Sequence, residues 1–141
     1  MGRINVGRVL LGGLLAGLVF NVFEALVGRL FILQLMTDAL AAIGRAAPEA
    51  PMWMAYYVIL GFLWGIFGVW IYAAIRPRFG PGPRTAVIAG LVLWLAWPVF
   101  LGLGQGPLGI FPAGFYYRFV VYGLVEHVTM LLAGAWLYRE A

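Results

Sequence analysis

Cysteine and lysine are both missing from this 141-residue chain, and histidine occurs only once. Without cysteine, the chain cannot form disulfides, hold an iron–sulfur cluster or use a thiol nucleophile. A single histidine excludes a bis-histidine haem or a multi-histidine zinc site built within one chain. Charged residues are also scarce, at 10% of the sequence against about 25% in soluble domains. The sequence therefore excludes several large classes of soluble enzyme and metalloprotein.

Long apolar runs take the place of the missing charges. Hydrophobic residues make up 65% of the chain, and four runs cover approximately residues 6–27, 52–75, 85–103 and 117–138. About 20 mostly apolar residues, rising 1.5 Å each, are enough to cross a bilayer. We therefore predict an all-α integral membrane protein, a compact bundle of four transmembrane helices forming one domain over residues 1–141. The first run is interpreted as an uncleaved signal anchor.

The arginines predict the orientation and the lipid contacts. One predicted side carries Arg3, Arg8, Arg76, Arg78, Arg84 and Arg139, and the other carries Arg29, Arg45 and Arg118. Because the arginine-rich side faces the cytoplasm, both termini are expected there. Arg76, Arg78 and Arg84 belong to the loop RPRFGPGPR and are expected to contact lipid headgroups. Since the arginines flank apolar spans instead of clustering on a polar face, no nucleic-acid partner is expected.

Residues 30–45 follow the first run and carry a polar stripe. Gln34, Asp38 and Arg45 recur at helical spacing on an otherwise apolar segment. This pattern predicts an amphipathic helix lying in the outer membrane interface.

Two short matches indicate an internal repeat. AGLVF at residues 16–20 recurs as AGLVL at 89–93, and VWIY at 69–72 recurs as AWLY at 135–138. The matches sit at equivalent places in their helices, which suggests a duplicated two-helix hairpin with both copies in one orientation. In this alignment Asn21 and Glu24 correspond to tryptophans, and Gly61 corresponds to His127. A site that used these polar residues would be asymmetric.

Small residues at helical spacing predict the packing faces. The expected packing residues are Gly13 and Gly17 in the first span, Gly61, Gly65 and Gly68 in the second, and Gly123 and Gly134 in the fourth. Small faces let backbones approach closely, which is how membrane helices associate without a hydrophobic driving force. The expected partners are therefore membrane lipids and either further copies of this chain or a larger membrane complex.

Four polar residues inside the spans form the candidate site: Glu126, His127, Glu24 and Asn21. Ionisable groups inside a membrane are costly, so each marks either a function or interhelical contact. Glu126 is expected about 14 Å deep, near the middle of a ~30 Å hydrocarbon core, in its neutral form. Glu24 is expected near the outer end of the first span, where Arg29 or Arg118 could neutralise it. Neighbouring helical residues point about 100° apart, so Glu126 and His127 are not expected at one spot.

Three stretches carry a resemblance to a known group of proteins. RINVGRVLLGGLLAGL, AAIRPRFGPGPRTAVIAGL and the terminal LAGAWLYRE resemble an uncharacterised family of small bacterial four-span membrane proteins. The resemblance covers most of the chain. It implies four spans in a bacterial cytoplasmic (inner) membrane, and it brings no activity, cofactor or catalytic residue.

Three functional classes follow from these features. The leading expectation is a non-enzymatic accessory or structural subunit that acts through its packing faces and partners, because no reaction motif is present. The first alternative is a channel or carrier for protons, cations or a small solute that uses Glu126, His127 and Glu24. The second is a haem- or chlorophyll-binding subunit with His127 as a single axial ligand, in which Gly123 and Gly134 leave room for a flat ring. No cofactor is specified by the sequence.

Overall fold

The computed structural model describes residues 3–46 and 51–140. Their α-helices are α1 (Val6–Phe23), α2 (Leu33–Ala42), α3 (Met52–Phe79), α4 (Pro83–Trp94), α5 (Phe100–Gln105) and α6 (Ala113–Leu137). Wide π-helical turns at Glu24–Ile32 join α1 to α2, and others at Leu95–Val99 join α4 to α5. A short 3₁₀ turn, Gly106–Leu108, follows α5, and these ranges contain no β-strand. The predicted all-α bundle is confirmed.

Four continuous helices in the described residues are long and apolar enough to cross a bilayer. They are Val6–Ala42, Trp53–Phe79, Pro83–Leu108 and Ala113–Leu137. Large apolar side chains on their outer faces are exposed, among them Leu10, Leu14, Leu18, Val121 and Val125. Such a surface suits contact with lipid, because contiguous apolar patches of this extent are rare on soluble monomers. The structure is that of a multi-pass membrane protein.

The segment at residues 30–45 differs from its prediction. Its helix is present as α2, and Gln34 donates a hydrogen bond to Asp38 at 2.8 Å within the predicted polar stripe. However, α2 is not a separate element, because the π-helical turns at Glu24–Ile32 carry the chain into it without a break. The first membrane-length helix therefore has 37 residues and extends well past residue 27.

Proline and glycine form the turn between α3 and α4, as their backbone preferences require. Gly80 and Gly82 have φ of 84° and 116°, which L-residues with side chains rarely adopt. Pro83 then opens α4 at a position where its missing N–H costs nothing. The Thr85 hydroxyl donates to the Gly80 carbonyl at 2.6 Å and holds the turn closed.

Glycines on α1 and α3 bring the two helix backbones together. A Cβ atom on Gly17 would lie 2.6 Å from Phe62 Cα, and one on Gly65 would meet the backbones of Gly13 and Gly17. Gly13 faces Ile66 in the same way. This α1–α3 contact has no room for even one methyl group.

Other predicted glycines lie on contacts between different helix pairs. A Cβ on Gly134 of α6 would meet Val69 at 2.6 Å and the Gly12 carbonyl oxygen at 2.8 Å. Gly68 faces the side chains of Leu93 and Leu131 in the buried core. Gly123 lies against Pro98, with the ring Cγ at 2.9 Å from the Cβ position. Gly61 is covered by the side chain of Asn21.

Equivalent contacts in the two hairpins support the internal duplication. A Cβ on Gly17 would face Phe62 Cα and the Gly61 carbonyl, whereas one on Gly90 would face Val128 Cα and the His127 carbonyl, both at 2.9 Å. In the sequence alignment of the repeat, Gly17 corresponds to Gly90, and residues 61–62 correspond to 127–128. Both copies also contain a π-helical turn at matching places in their first helices. The same hairpin packing therefore occurs twice.

Two tyrosines at equivalent positions join the copies at one end of the bundle. The Tyr72 hydroxyl accepts a hydrogen bond from the backbone N–H of Gly82, at 3.2 Å. The Tyr138 hydroxyl accepts one from the N–H of Asn5, at 3.4 Å. Gly82 and Asn5 are the N-cap residues of α4 and α1, so each tyrosine reaches the start of the other copy's first helix. The two rings meet edge to face, with centroids 5.8 Å apart.

We predict that Gly17→Leu and Gly65→Leu each lower the free energy of unfolding in detergent by about 1–3 kcal/mol or more, because the added side chain must separate two backbones. The matched control is Gly114→Leu at the start of α6, where no atom lies within 4 Å of a Cβ. A melting temperature that all three variants share with the unchanged protein would contradict the close contact.

Candidate functional site

Four polar side chains meet halfway along the membrane-length helices. Glu24 stands 18 residues from either end of Val6–Ala42, and Glu126 and His127 lie near the middle of Ala113–Leu137. Glu126 and His127 are 2% and 1% exposed, although both are ionisable. Tyr122, one turn before Glu126, completes the group. We call these four residues the polar cluster.

The cluster contains two neighbouring carboxyl groups. The side chains of Glu24 and Glu126 face each other and can act as hydrogen-bond partners when one of them carries a proton. The Tyr122 hydroxyl donates a hydrogen bond to Glu24 Oε1 at 3.0 Å. By contrast, no donor among the described residues reaches the buried Oε1 of Glu126. Glu24 is thus supplied with a hydrogen-bond donor and Glu126 is not.

Hydrogen bonds to both ring nitrogens hold His127 in one state. The indole N–H of Trp64, in α3, donates to His127 Nε2 at 3.1 Å. Because an indole nitrogen can only donate, Nε2 must carry no proton. The other nitrogen, Nδ1, lies 2.7 Å from the Gly123 carbonyl oxygen, which can only accept. The imidazole is therefore the neutral tautomer with its proton on Nδ1.

The directions of Glu126 and His127 were predicted only in part. The two side chains do turn to different helices, Glu126 toward Glu24 in the π-helical turns after α1 and His127 toward Trp64 of α3. Contrary to expectation they still share one spot, with Glu126 Oε2 3.6 Å from His127 Nδ1. The reason is that α1 and α3 both pack on this stretch of α6. Glu126 and His127 therefore lie in the same narrow space between the three helices.

Glu24 lies midway along the continuous helix Val6–Ala42, and its depth in the membrane stays a prediction. Its predicted arginine partner is not observed. In the described parts of the chain no arginine forms a salt bridge with either glutamate. Arg118 is exposed and instead donates to the Phe31 carbonyl at 3.1 Å. The carboxyl pair is therefore without a nearby cation.

Glu24 and Asn21 lie on different faces of the first helix. Gly13, Gly17 and Asn21 face α3, where the Asn21 amide donates to the Val58 carbonyl at 3.1 Å. Glu24 instead continues a series that faces α6, in which Gly12 and Ala16 meet Gly134 and the Phe20 ring lies 5.9 Å from His127. Asn21 thus lies on the α3 side of the helix, whereas Glu24 lies on the α6 side.

The surroundings of His127 do not fit a haem or chlorophyll. Both ring nitrogens are occupied by hydrogen bonds, so neither is free for an axial bond. The space beside the two nearby glycines is also filled, by Pro98 at Gly123 and by Val69 and Ala16 at Gly134. In the ranges that the structure covers, no three His, Cys, Asp or Glu residues are grouped so that they could hold a metal ion.

Trp64 and Tyr122 were missed as site residues by sequence reasoning. Tyr122 precedes Glu126 by one helical turn, so the spacing could have placed both on one face of α6. The role of Trp64 has no such local signal, because it depends on how α3 sits against α6.

No protein-family model, curated protein or solved structure matches this chain. The resemblance to an uncharacterised bacterial family therefore stays a prediction. The site must be interpreted from its own geometry.

We predict that Trp64→Phe lowers the free energy of unfolding by about 1–3 kcal/mol, because it leaves a buried acceptor on His127 unsatisfied. Trp136→Phe, at a side chain that is 79% exposed, is the matched control. The chain has one histidine, so the ¹⁵N spectrum of the labelled protein reports on it alone. We expect the Nδ1–H tautomer at neutral pH; an Nε2–H tautomer or a charged ring would contradict the assignment.

Proposed function

We propose that this protein is a proton-binding membrane transport protein, a carrier or channel in which Glu24 and Glu126 take up and release a proton. The observation that carries the proposal is the proximity of these two carboxyl groups inside the bundle, with no arginine of the described residues paired to either. Burying such a pair costs free energy, and an apolar contact would pack the helices equally well. Its chemical capacity is the exchange of a proton.

The hydrogen-bond partners indicate where the proton lies. Two ionised carboxylates side by side would repel each other strongly in a medium of low dielectric constant. The pair is therefore stable only when one of the two carries a proton. Glu24 already accepts from Tyr122, whereas Glu126 has no donor. His127 cannot supply one, because its only proton points at the Gly123 carbonyl. Glu126 is therefore the protonated member and donates to Glu24.

The side of Gly28 is where the proposal has the proton enter. Glu24 is only half-buried, and its Oε2 lies 3.5 Å from the position of a Cβ on Gly28. Apart from the backbone of its own helix and its chain neighbours, no other described atom lies within 4 Å of that position. Water that enters along this bare stretch of the helix would reach Glu24 first and Glu126 through it.

We predict that Glu126→Gln and Glu24→Gln each reduce proton flux into liposomes to the level of empty vesicles. The amide preserves the shape of the side chain and removes the titratable proton. Flux would be driven by a potassium diffusion potential and measured with a pH-sensitive dye in the lumen. Asp38→Asn, on the exposed α2, is the matched control and should transport like the unchanged protein.

Infrared spectroscopy makes this test independent of an unknown co-substrate. The unchanged protein should show a protonated carboxyl band at neutral pH that shifts in D₂O, because water reaches the pair. The band should be lost in Glu126→Gln and kept in Asp38→Asn. A missing band, or a band that does not exchange, would overturn the proposal, and so would normal flux in both glutamine variants.

A second candidate function is the accessory or structural subunit, and α2 favours it. This helix makes its main contacts with the π-helical turns before it, and Leu33 and Ile43 at its ends are exposed. A helix with so few contacts inside the chain is available for packing against another copy of the chain or a larger complex. The glycine faces argue less for this function, because Gly13, Gly17 and Gly134 are used inside the chain. Silent glutamine variants in the flux assay would favour it.

We further propose that the protein lies in a bacterial inner membrane with both termini in the cytoplasm. The support is the excess of arginine at the end of the bundle that holds Asn5, Arg76 and Tyr138. Positive residues are retained on the cytoplasmic side during insertion.

We predict that a reporter fused to either terminus is active only if it is one that works in the cytoplasm. Adding a fluorescent protein to the C-terminus should give a fluorescent product, and adding alkaline phosphatase there should give an inactive one. The opposite pattern would reverse the orientation.

A further inference from the structure

A pocket of about 390 Å³ lies at the end of the bundle that holds Asn5 and Tyr138, and it shares no residue with the polar cluster. Its walls come from the end of α3, the start of α4 and the end of α6. Arg76 and Tyr138 form its polar part, whereas Ala86, Leu132 and Trp136 form its apolar part. Leu132 and Trp136 are 37% and 79% exposed, so the apolar part opens toward the outer face of the bundle.

The guanidinium of Arg76 in this pocket is incompletely paired. Its side chain is 17% exposed, and its Nε and Nη1 atoms are buried without a hydrogen-bond acceptor in the described residues. Its nearest anion is the half-exposed carboxylate of Glu140, whose Oε1 lies 3.4 Å from Nη1. The guanidinium also lies over the Tyr138 ring, with its central carbon 5.5 Å from the ring centroid.

The form of the pocket matches one class of ligand. A guanidinium presents a planar fork of donors that suits the oxygens of a phosphate group. A bound phosphate would supply the acceptors that Nε and Nη1 lack. The apolar wall beside it, open to the membrane at Trp136, would accept an acyl chain. Free phosphate would use only the first of these features, so an amphiphile fits better.

We propose that this pocket binds the phosphate headgroup and upper acyl chain of one anionic phospholipid, with Arg76 as the phosphate-binding residue. When the lipid is absent, the Glu140 carboxylate pairs with the Arg76 guanidinium. The lipid phosphate and Glu140 therefore compete for Arg76. Arg78, near the end of α3, and Arg84, near the start of α4, are exposed, and neither lines the pocket. They attract anionic lipids without selecting one.

The proposal is tested by counting bound lipids in native mass spectra of the detergent-purified full chain. Phosphatidylglycerol and phosphatidylcholine would be added at equal concentrations. The unchanged protein should retain one phosphatidylglycerol in preference to phosphatidylcholine. Arg76→Gln should weaken that binding about tenfold, the scale of one charge-assisted hydrogen bond. Arg84→Gln is the matched control and should keep the preference.

Glu140→Gln makes the opposite prediction, because it removes the competitor. Phosphatidylglycerol should bind this variant more tightly than the unchanged protein, and Arg76→Lys, which keeps the charge without the fork, should fall between the unchanged protein and Arg76→Gln. These two variants carry the test if Arg76→Gln does not fold. An unchanged preference in Arg76→Gln, or weaker binding in Glu140→Gln, would overturn the proposal. Displacement of the lipid by millimolar inorganic phosphate would show a site for the free anion instead.

Discussion

Close approach of helix backbones is the constraint on which the rest of this structure depends. Lipid tails are as apolar as the side chains they touch, so membrane helices gain little from hydrophobic burial against each other and must pack closely. Here α1 meets α3 through Gly13, Gly17 and Gly65, and it meets α6 through Gly12 and Gly134. The first helix is therefore held on two sides, and its rotation about its own axis is determined.

That rotation is what places the carboxyl pair. Glu24 lies three turns beyond Gly12 on the side of α1 that faces α6, so it reaches Tyr122 and Glu126. Turning α1 by a single residue would put Glu24 into lipid. The small residues that let the backbones approach and the polar residues that meet between them are parts of one arrangement.

The duplicated hairpin explains why the site is on one side of the bundle only. Two equivalent interfaces join the copies, one between α1 and α6 and the other between α4 and α3. The first carries Glu24 and Glu126. At the second, the position equivalent to Glu24 is Trp97, whose ring lies 6.0 Å from that of Trp64. The shared glycine contacts keep the two hairpins alike, while the polar residues make one interface chemically distinct.

Most of the fold could be predicted from the sequence, because the hydropathy of a short stretch of chain is enough to identify a membrane helix. Hydropathy located the four spans, and glycine spacing located residues that pack. Two structural features had no local signal. Nothing in residues 24–32 predicts the π-helical turns that continue the first helix beyond residue 27. The pairing of Trp64 with His127 depends on the register between α3 and α6, which single-helix periodicity cannot supply.

The state of His127 decides what the carboxyl pair can be. A charged imidazole 3.6 Å from Glu126 would neutralise it and make an ordinary buried ion pair. The structure prevents this, because the Trp64 N–H occupies Nε2 and the Gly123 carbonyl takes the proton of Nδ1. Ionisation of the ring would need Trp64 to move away. With the imidazole held neutral and the arginines elsewhere, a proton is the remaining counter-charge for two neighbouring carboxyl groups. The histidine therefore influences the site by staying neutral, so that it does not form an ion pair with Glu126.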